Sequence, residues 1–212
     1  MTAKYNLLEL DKNIEVLVVE DAFDKNVYDE IWEETLKFAK NPNLSQDRQR
    51  TGVATLPDGT SIAKQKYGFF IDNFYPNRLE SAYLRNYKKF IFELSSNNDI
   101  KKSVTWSAAF QTTSDSTLFA KYVNDGAYNG HCDSSVVTQL FWLCSALKKF
   151  SGGDLIFDDF NVKIDFAPNK AIIFPGWIKH TITPVIGKTK KLKDKDCRYS
   201  YASFYGFGGV MQ

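Results

Sequence analysis

Only two of the 212 residues are histidine, His131 and His180, so any chemistry that needs imidazole has two places to happen. Cysteine is nearly as scarce. Cys132, Cys144 and Cys197 form no Cys-x-x-Cys pair, and their odd number argues against a disulfide framework. A reducing cytosol is the simplest setting for such a chain, and a cytoplasmic location is expected. Charge of one sign is missing too. Lys and Arg number 27 against 25 Asp and Glu, and a net charge of +2 gives no electrostatic case for a nucleic-acid partner. No segment approaches 18 consecutive apolar residues, so no membrane-spanning helix is expected. The start, Met1-Thr2-Ala3-Lys4-Tyr5-Asn6, lacks an apolar run after a basic stretch and does not read as a signal peptide. There is no internal repeat and no low-complexity segment.

What is present is an ordinary globular composition, 43% hydrophobic and 25% charged, long enough to bury one sizeable core. Aromatics reach 15%, which suits strands. Ile14–Glu20 is β-branched and predicts a strand. Asp24 offers an N-cap, and Val27, Ile31, Thr35 and Phe38 recur at helical spacing, which predicts a helix over 25–40. Residues 43–61 are polar, with a turn at Pro57-Asp58-Gly59, and read as a loop or hairpin. A strand is expected over 69–74. A second helix is expected over 77–95, with Leu79, Tyr83, Tyr87, Phe90 and Leu94 along one side. From about residue 103 the pattern changes to short apolar or alternating segments, near 104–112, 116–123, 136–144, 154–158, 162–166, 170–175, 180–186 and 197–206. Strands at such spacing indicate an all-β barrel or sandwich. The lysine-rich run 188–196 reads as a solvated hairpin loop, and Asp158-Asp159 as a turn.

The two histidines fall at informative places. One stands in His131-Cys132-Asp133, and the other closes the apolar stretch 171–180. Residues at i and i+2 of an extended strand share a face, so His131 and Asp133 can reach one metal together, with His180 arriving from a distant strand. Two histidines and one carboxylate form the ligand set of non-haem Fe(II) oxygenases, which leaves three positions on the metal open.

Four stretches then carry a resemblance. They are Tyr122-Val123-Asn124-Asp125-Gly126-Ala127-Tyr128-Asn129-Gly130-His131-Cys132-Asp133, the turn Gly152-Gly153-Asp154-Leu155, Pro168-Asn169-Lys170-Ala171-Ile172-Ile173-Phe174 leading to His180, and Arg198-Tyr199-Ser200. In this order they resemble the prolyl-4-hydroxylase-like branch of the 2-oxoglutarate/Fe(II)-dependent dioxygenases, over roughly residues 104–208. Two departures stand out. Asn169 or Lys170 occupies a turn where the branch has Gly, and Asn tolerates left-handed backbone there. The basic residue follows His180 by eighteen positions rather than about ten, which implies a longer final hairpin.

The resemblance implies a mainly β fold with flanking helices (α+β) and a double-stranded β-helix, or jelly-roll, core. Residues 103–212 would form that core and residues 1–102 its helical and strand support, together as one compact domain. It implies Fe(II) held by His131, Asp133 and His180, with 2-oxoglutarate and O2 as co-substrates; whether ascorbate assists stays open. Arg198 is the candidate for the far carboxylate of 2-oxoglutarate, because a guanidinium grips a carboxylate with two bonds. Lys190 and Lys191 are the alternatives, and Ser200 and Tyr122 would add hydroxyls. Thr138 is a candidate for positioning the co-substrate, and Tyr128, Trp142 and Trp177 for lining the substrate pocket. Cys132, between two ligands, is expected to point away and pack, as are Cys144 and Cys197. By position alone, segment 43–66 corresponds to a substrate-covering loop, with Arg48, Arg50 and Lys64 as candidate contacts. The implied activity is hydroxylation of an unactivated C–H bond, with a prolyl residue of a peptide or protein as leading substrate and a small molecule as the other class. Two different readings are a jelly-roll binding module without redox turnover and a cupin-type metal-dependent hydrolase or isomerase.

Overall fold

The computed structural model describes residues 3–96, 100 and 104–208. Two strands open the chain, β1 (Lys4–Asp11) and β2 (Ile14–Glu20), turning at Asn13 with φ 64°. Helix α1 (Lys25–Phe38) begins where the Asp24 carboxylate accepts the amides of Asn26 and Val27, as the sequence predicts. There follow the short α2 (Arg48–Thr51), β3 (Ala63–Phe70), α3 (Lys89–Ser95) and α4 (Val104–Ala109). The second half is almost all strand: β4 (Ser114–His131), β5 (Val137–Leu143), β6 (Phe150–Gly152), β7 (Leu155–Phe157), β8 (Val162–Ile164), β9 (Lys170–Pro175), β10 (His180–Ile182), β11 (Val185–Gly187) and β12 (Arg198–Gly206).

These strands pair antiparallel in the order β1-β2-β9-β5-β12-β4-β10-β7-β8, with β3 on the other edge of β4 and β6 paired to β11. The 18-residue β4 organises them. Its first half lies between β12 and β3, and its last residues pair with β10. It bends at Asp125, φ 63°, opposite a register shift in β3 where Gln65 has φ 49°. A bulge of this kind turns a strand from one sheet to another. Here it carries β4 from a larger sheet, with β1, β2, β9, β5, β12 and β3, to a smaller one with β10, β7 and β8. The result is a nearly closed jelly roll.

Strand alternation decides what each face does. Along β12, Tyr199 and Tyr201 face α1: Tyr199 meets Trp32 edge-on at 5.9 Å, and the Tyr201 hydroxyl bonds Thr35 at 2.9 Å. Each ring so buried contributes on the order of 1.5–3 kcal/mol. Arg198, Ser200, Ala202 and Phe204 point the other way, into the barrel. Helices cover one face of the larger sheet, and the opposite face is free to line a cavity. No helix among the described residues is long and apolar enough to cross a membrane.

Three expectations change, and one strand has no counterpart in the sequence reading. The helix over 77–95 is broken into a 3-10 turn (Arg78–Glu80), irregular turns and α3. The cause is buried Glu34, whose carboxylate accepts from Ser81 Oγ and the amides of Ala82 and Tyr83, each at 3.1 Å. In a continuous helix those amides would donate to the carbonyls of Arg78 and Leu79 instead. Tyr83, Tyr87 and Phe90 are buried as expected, while Leu79 is exposed. The strand expected near 104–112 is α4, since Trp106 and Ala109 fall at helical spacing on a buried face. Strand β3 starts earlier than its apolar end suggests, in the polar run Ala63-Lys64-Gln65-Lys66, and gives way at Ile71 to a 3-10 turn. Strand β1 was hidden by its mostly exposed side chains.

Glu34→Ala should cost about 2–4 kcal/mol, because it strands two buried amides and a hydroxyl. Exposed Glu33→Ala should stay within about 0.5 kcal/mol. Urea melts of the two variants check this; equal midpoints would show that Glu34 does not organise residues 81–83.

Candidate active site

His131 ends β4 and His180 begins β10, and the two are direct partners in the ladder. Asp133 follows two residues after His131. Its amide donates to Gly176 O at 2.8 Å, and the Gly176 amide donates to Val136 O at 3.1 Å. The turn after β9 therefore clamps the loop that carries the carboxylate. Gly176 is required for this approach, since a Cβ there would stand 2.2 Å from Ser135 O. Between them the three residues bring one ligand atom each within 4.8 Å of one another. Asp133 bridges the rings, with Oδ1 3.7 Å from His131 Nε2 and Oδ2 3.7 Å from His180 Nε2.

Both imidazoles are set the same way. His131 Nδ1 donates to Asn129 O and His180 Nδ1 to Ile178 O, each at 2.9 Å. A carbonyl can only accept, so each Nδ1 carries a proton and Nε2 is the ring atom turned toward the Asp133 carboxylate. Burial, aided by the neighbouring His180 ring, pushes the His131 pKa down to about 3, so this ring stays neutral and ready to ligate. Tyr128 stacks on His131 with centroids 3.6 Å apart, and Phe174 meets His180 edge-on. Thr138 Oγ1 donates to Asp133 Oδ2 at 2.6 Å and is itself bonded to Ser135 Oγ at 2.8 Å. Two open imidazole nitrogens and one oriented carboxylate make a three-ligand face for a divalent transition metal.

The cluster opens on a cavity of about 980 Å³, lined by Tyr122, Leu140, Ile182, Ala202 and Phe204 among others. Residues 51–54 form part of its wall, tied down where the Ala54 amide donates to Tyr128 Oη at 2.9 Å. Two buried cations also line it. Arg198 is completely buried: Nε donates to Gly153 O at 2.9 Å, Nη1 reaches Ser200 Oγ at 3.5 Å, and Nη2 has no hydrogen-bond partner among the described residues. Its guanidinium lies 4.5 Å from the Tyr122 ring centroid and 5.5 Å from that of Trp142. Burial lowers the Arg198 pKa to about 10, with Tyr122 opposing. Gly153, at φ 74°, gives it room, since a Cβ there would come 2.7 Å from Arg198 Cδ. Lys66, from β3, is the second cation, with Nζ 4.1 Å from the Tyr128 ring centroid. Burial lowers its pKa to about 8, against the pull of Asp133.

No family model matches the chain, and no curated protein matches it. Solved structures do. A prolyl-4-hydroxylase from Pseudomonas putida aligns with a TM-score of 0.60 and 13% identity, covering 91% of this chain and 92% of that one. A viral collagen prolyl hydroxylase from Paramecium Bursaria Chlorella virus-1, in complex with 2OG, gives a TM-score of 0.52 and 12% identity over 90% of this chain and 94% of that one. An oxidoreductase of the 2OG-Fe(II) oxygenase family from Burkholderia pseudomallei gives 0.52 and 15% over 90% and 84%. The chain has the jelly-roll fold of these oxygenases. At such identities the likeness speaks for the fold.

The sequence candidates sort themselves by position. His131, Asp133 and His180 come together, and Arg198, Ser200, Tyr122 and Tyr128 line the same cavity. Lys190 and Lys191 are exposed in the loop before β12, where their neighbourhood is fixed by Asn124 donating to the carbonyls of Thr189 and Lys190, each at 2.8 Å. The Thr138 hydroxyl is committed to Asp133 rather than to the open cavity. Trp142 is buried behind Arg198, stacked on Phe166, and does not reach the cavity wall; Trp177 lies outside on the surface, 57% exposed. Cys132 is exposed at the cavity rim, so it is not a packing residue, whereas Cys144 and Cys197 are buried. The loop leaves β4 at His131, and among the described residues Cys132 has no strand partner to cover it. Asp158 and Asp159 do form a turn, as a 3-10 helix. Arg50 and Lys64 are exposed, and the side chain of Arg48 lies outside the described residues. Lys66, two positions beyond Lys64, enters the cavity instead. A lysine in a polar run carries no signal of burial, so it was missed.

Thr138→Val should weaken ferrous-iron binding about 10- to 100-fold by releasing the Asp133 carboxylate. Anaerobic calorimetric titration of the wild type and the variant reads this; an unchanged affinity would show that Asp133 orients itself without Thr138.

Proposed function

We propose that this chain is an Fe(II)- and 2-oxoglutarate-dependent oxygenase that hydroxylates an unactivated C–H bond. The observation that carries the reading is the three-ligand face of His131, Asp133 and His180, sharing one cavity with a buried guanidinium whose Nη2 has no hydrogen-bond partner among the described residues. Two neutral imidazoles and one carboxylate leave a divalent ion with a residual charge of +1, and its other positions free for an anionic chelator and oxygen. An unsatisfied buried Arg is costly unless something fills its fork, and a carboxylate does so with two bonds. Bound together, ferrous iron and 2-oxoglutarate supply the oxidation of a C–H bond by O2, with succinate and carbon dioxide as the other products.

The protein's part is to hold and orient. His131 and His180 present Nε2 with fixed tautomers. Asp133, gripped by Thr138 and by the Gly176 turn, supplies the single negative charge. Arg198, with Ser200 and Tyr122 beside it, fixes the far carboxylate and so the reach of the co-substrate toward the ligands. Tyr128, stacked on His131 and bonded to the Ala54 amide, joins the segment 51–54 in the wall of the same cavity. The primary substrate we propose is a prolyl residue of a peptide or protein. Support for that class comes from the resemblance in the sequence and from the prolyl hydroxylases among the structures of like fold.

Iron-loaded protein should form succinate from 2-oxoglutarate and O2, faster when a proline-rich peptide is added. Asp133→Ala should abolish turnover, and Arg198→Met should raise the 2-oxoglutarate KM at least about 10-fold, as loss of a bidentate charged pair does. Succinate without stimulation by peptide would keep the oxygenase and discard the prolyl substrate. Iron bound with no succinate would favour a binding module, and activity indifferent to Arg198 a cupin-type hydrolase or isomerase.

A further inference from the structure

Lys66 is the buried charge that the reading above leaves without work. It is 6% exposed, and among the described residues its ammonium forms neither a close ion pair nor a hydrogen bond; it lies over the face of Tyr128 and feels the Asp133 carboxylate from a distance. Lysine is rarely buried this deeply unpaired, because desolvating the ammonium is costly. Its place in the sheet is specific. In the β3–β4 ladder Lys66 stands opposite Tyr122, and in the β4–β12 ladder Arg198 stands opposite the same Tyr122. The three side chains therefore form a row across three adjacent strands, on the face that lines the cavity. The outer two backbones are about 10 Å apart by sheet geometry, a gap into which the heads of two long cationic side chains can converge on a short dianion.

The two cations are not equivalent. Arg198 is anchored away from the ligands, by Gly153 O, Trp142 and Phe166. Lys66 lies over Tyr128, and Tyr128 is stacked on the metal-ligand candidate His131. Lys66 therefore belongs to the metal end and Arg198 to the far end. The charges agree with this. A divalent ion on the triad leaves +1, and Lys66 and Arg198 bring the cavity to +3, which favours a ligand with two negative charges over one with a single charge.

We propose that Lys66 is a positioning residue for the co-substrate, holding the carboxylate beside the keto group of 2-oxoglutarate while Arg198 holds the far carboxylate. This rests on the 2-oxoglutarate reading above. It assigns two cations to two carboxylates, so the cavity would select a 2-oxo dicarboxylate at both ends.

Calorimetric titration of Mn(II)-loaded protein tests it without turnover, using 2-oxoglutarate and 2-oxopentanoate, which lacks the far carboxylate. Lys66→Met should weaken both ligands by a similar factor, about 10- to 100-fold, and Arg198→Met should weaken 2-oxoglutarate while leaving 2-oxopentanoate nearly unchanged. Lys66→Arg should recover most of the affinity. Without ligand, Lys66→Met should melt at or above the wild-type temperature, since it removes an unpaired buried charge; a lower melting temperature with equal loss in the Lys66→Arg variant would mark a structural role and overturn the proposal. So would wild-type 2-oxoglutarate affinity in Lys66→Met, which would turn Lys66 toward the primary substrate. Loss confined to 2-oxoglutarate would overturn the assignment of carboxylates. Failure of the wild type itself to bind 2-oxoglutarate would instead overturn the oxygenase reading.

Discussion

The pairing of His131 with His180 across β4 and β10 is the constraint on which the molecule depends. Ladder partners sit about 5 Å apart by backbone geometry alone, so the two imidazoles are brought together before any side-chain preference acts. But the pairing can exist only if β4 leaves the larger sheet. Up to Tyr122 it is held between β12 and β3, and neither neighbour continues to His131. The left-handed Asp125 and the matching slip at Gln65 release it. One bulge thus does two things: it converts a continuous sheet into a jelly roll, and it delivers the end of β4 to the cavity. Position of the two histidines and closure of the barrel are one event.

The charged interior follows from the same geometry. Arg198 begins β12 just where that strand meets the straight part of β4, so its side chain must enter the barrel. Such a group is tolerated because the surroundings were shaped for it: the Gly153 carbonyl accepts from Nε, and the rings of Tyr122, Trp142 and Phe166 surround the guanidinium with π-faces. Yet among the described residues Nη2 has no hydrogen-bond partner, and a folded protein seldom leaves such a donor orphaned without a reason. In the proposed function a carboxylate fills the Arg198 fork at one end of the cavity, and a divalent ion held by His131, Asp133 and His180 at the other end takes a chelator of the same sign. A single dianionic ligand answers both, which is why two separate features of the cavity converge on one chemistry.

How much of this was legible in the sequence depended on whether a residue's role was local. The α1 helix announced itself through Asp24 and the spacing of Ile31, Thr35 and Phe38, all of which act within a few residues of one another. Asn169 was readable because left-handed backbone is a property of the residue itself, and it has φ 59°. His-x-Asp, the Gly-Gly turn and Arg-x-Ser were readable as an ordered set. The failures are all non-local. Glu34 breaks the helix expected over 77–95 from 48 residues away, through a carboxylate that accepts the Ala82 amide. The sequence of α4 has the apolar content of a strand, and only the packing of Trp106 settles its form. Trp142 and Trp177 are near the ligands in sequence, but one is behind Arg198 and the other on the surface. Lys66 could not be found because nothing in Lys64-Gln65-Lys66 says which lysine turns inward; the bulge at Gln65 decides it.

That bulge sets a limit on how freely the site can change. Side chains alternate along a strand, so a one-residue shift of β3 would send Lys66 out and a neighbour in. The register of β3 is fixed instead by its far end, where Phe69 is buried among Phe38, Phe74 and Phe119, and where Gly68 lies so close to the β4 backbone that a Cβ would meet Phe119 O at 2.4 Å. The apolar half of β3 thus holds the polar half in place, and the cation at the cavity is positioned by packing against α1 on the opposite side of the sheet. Substitutions in that aromatic cluster are distant from the ligands, but they act on the same register. Residues that line no cavity therefore share in deciding which charge does.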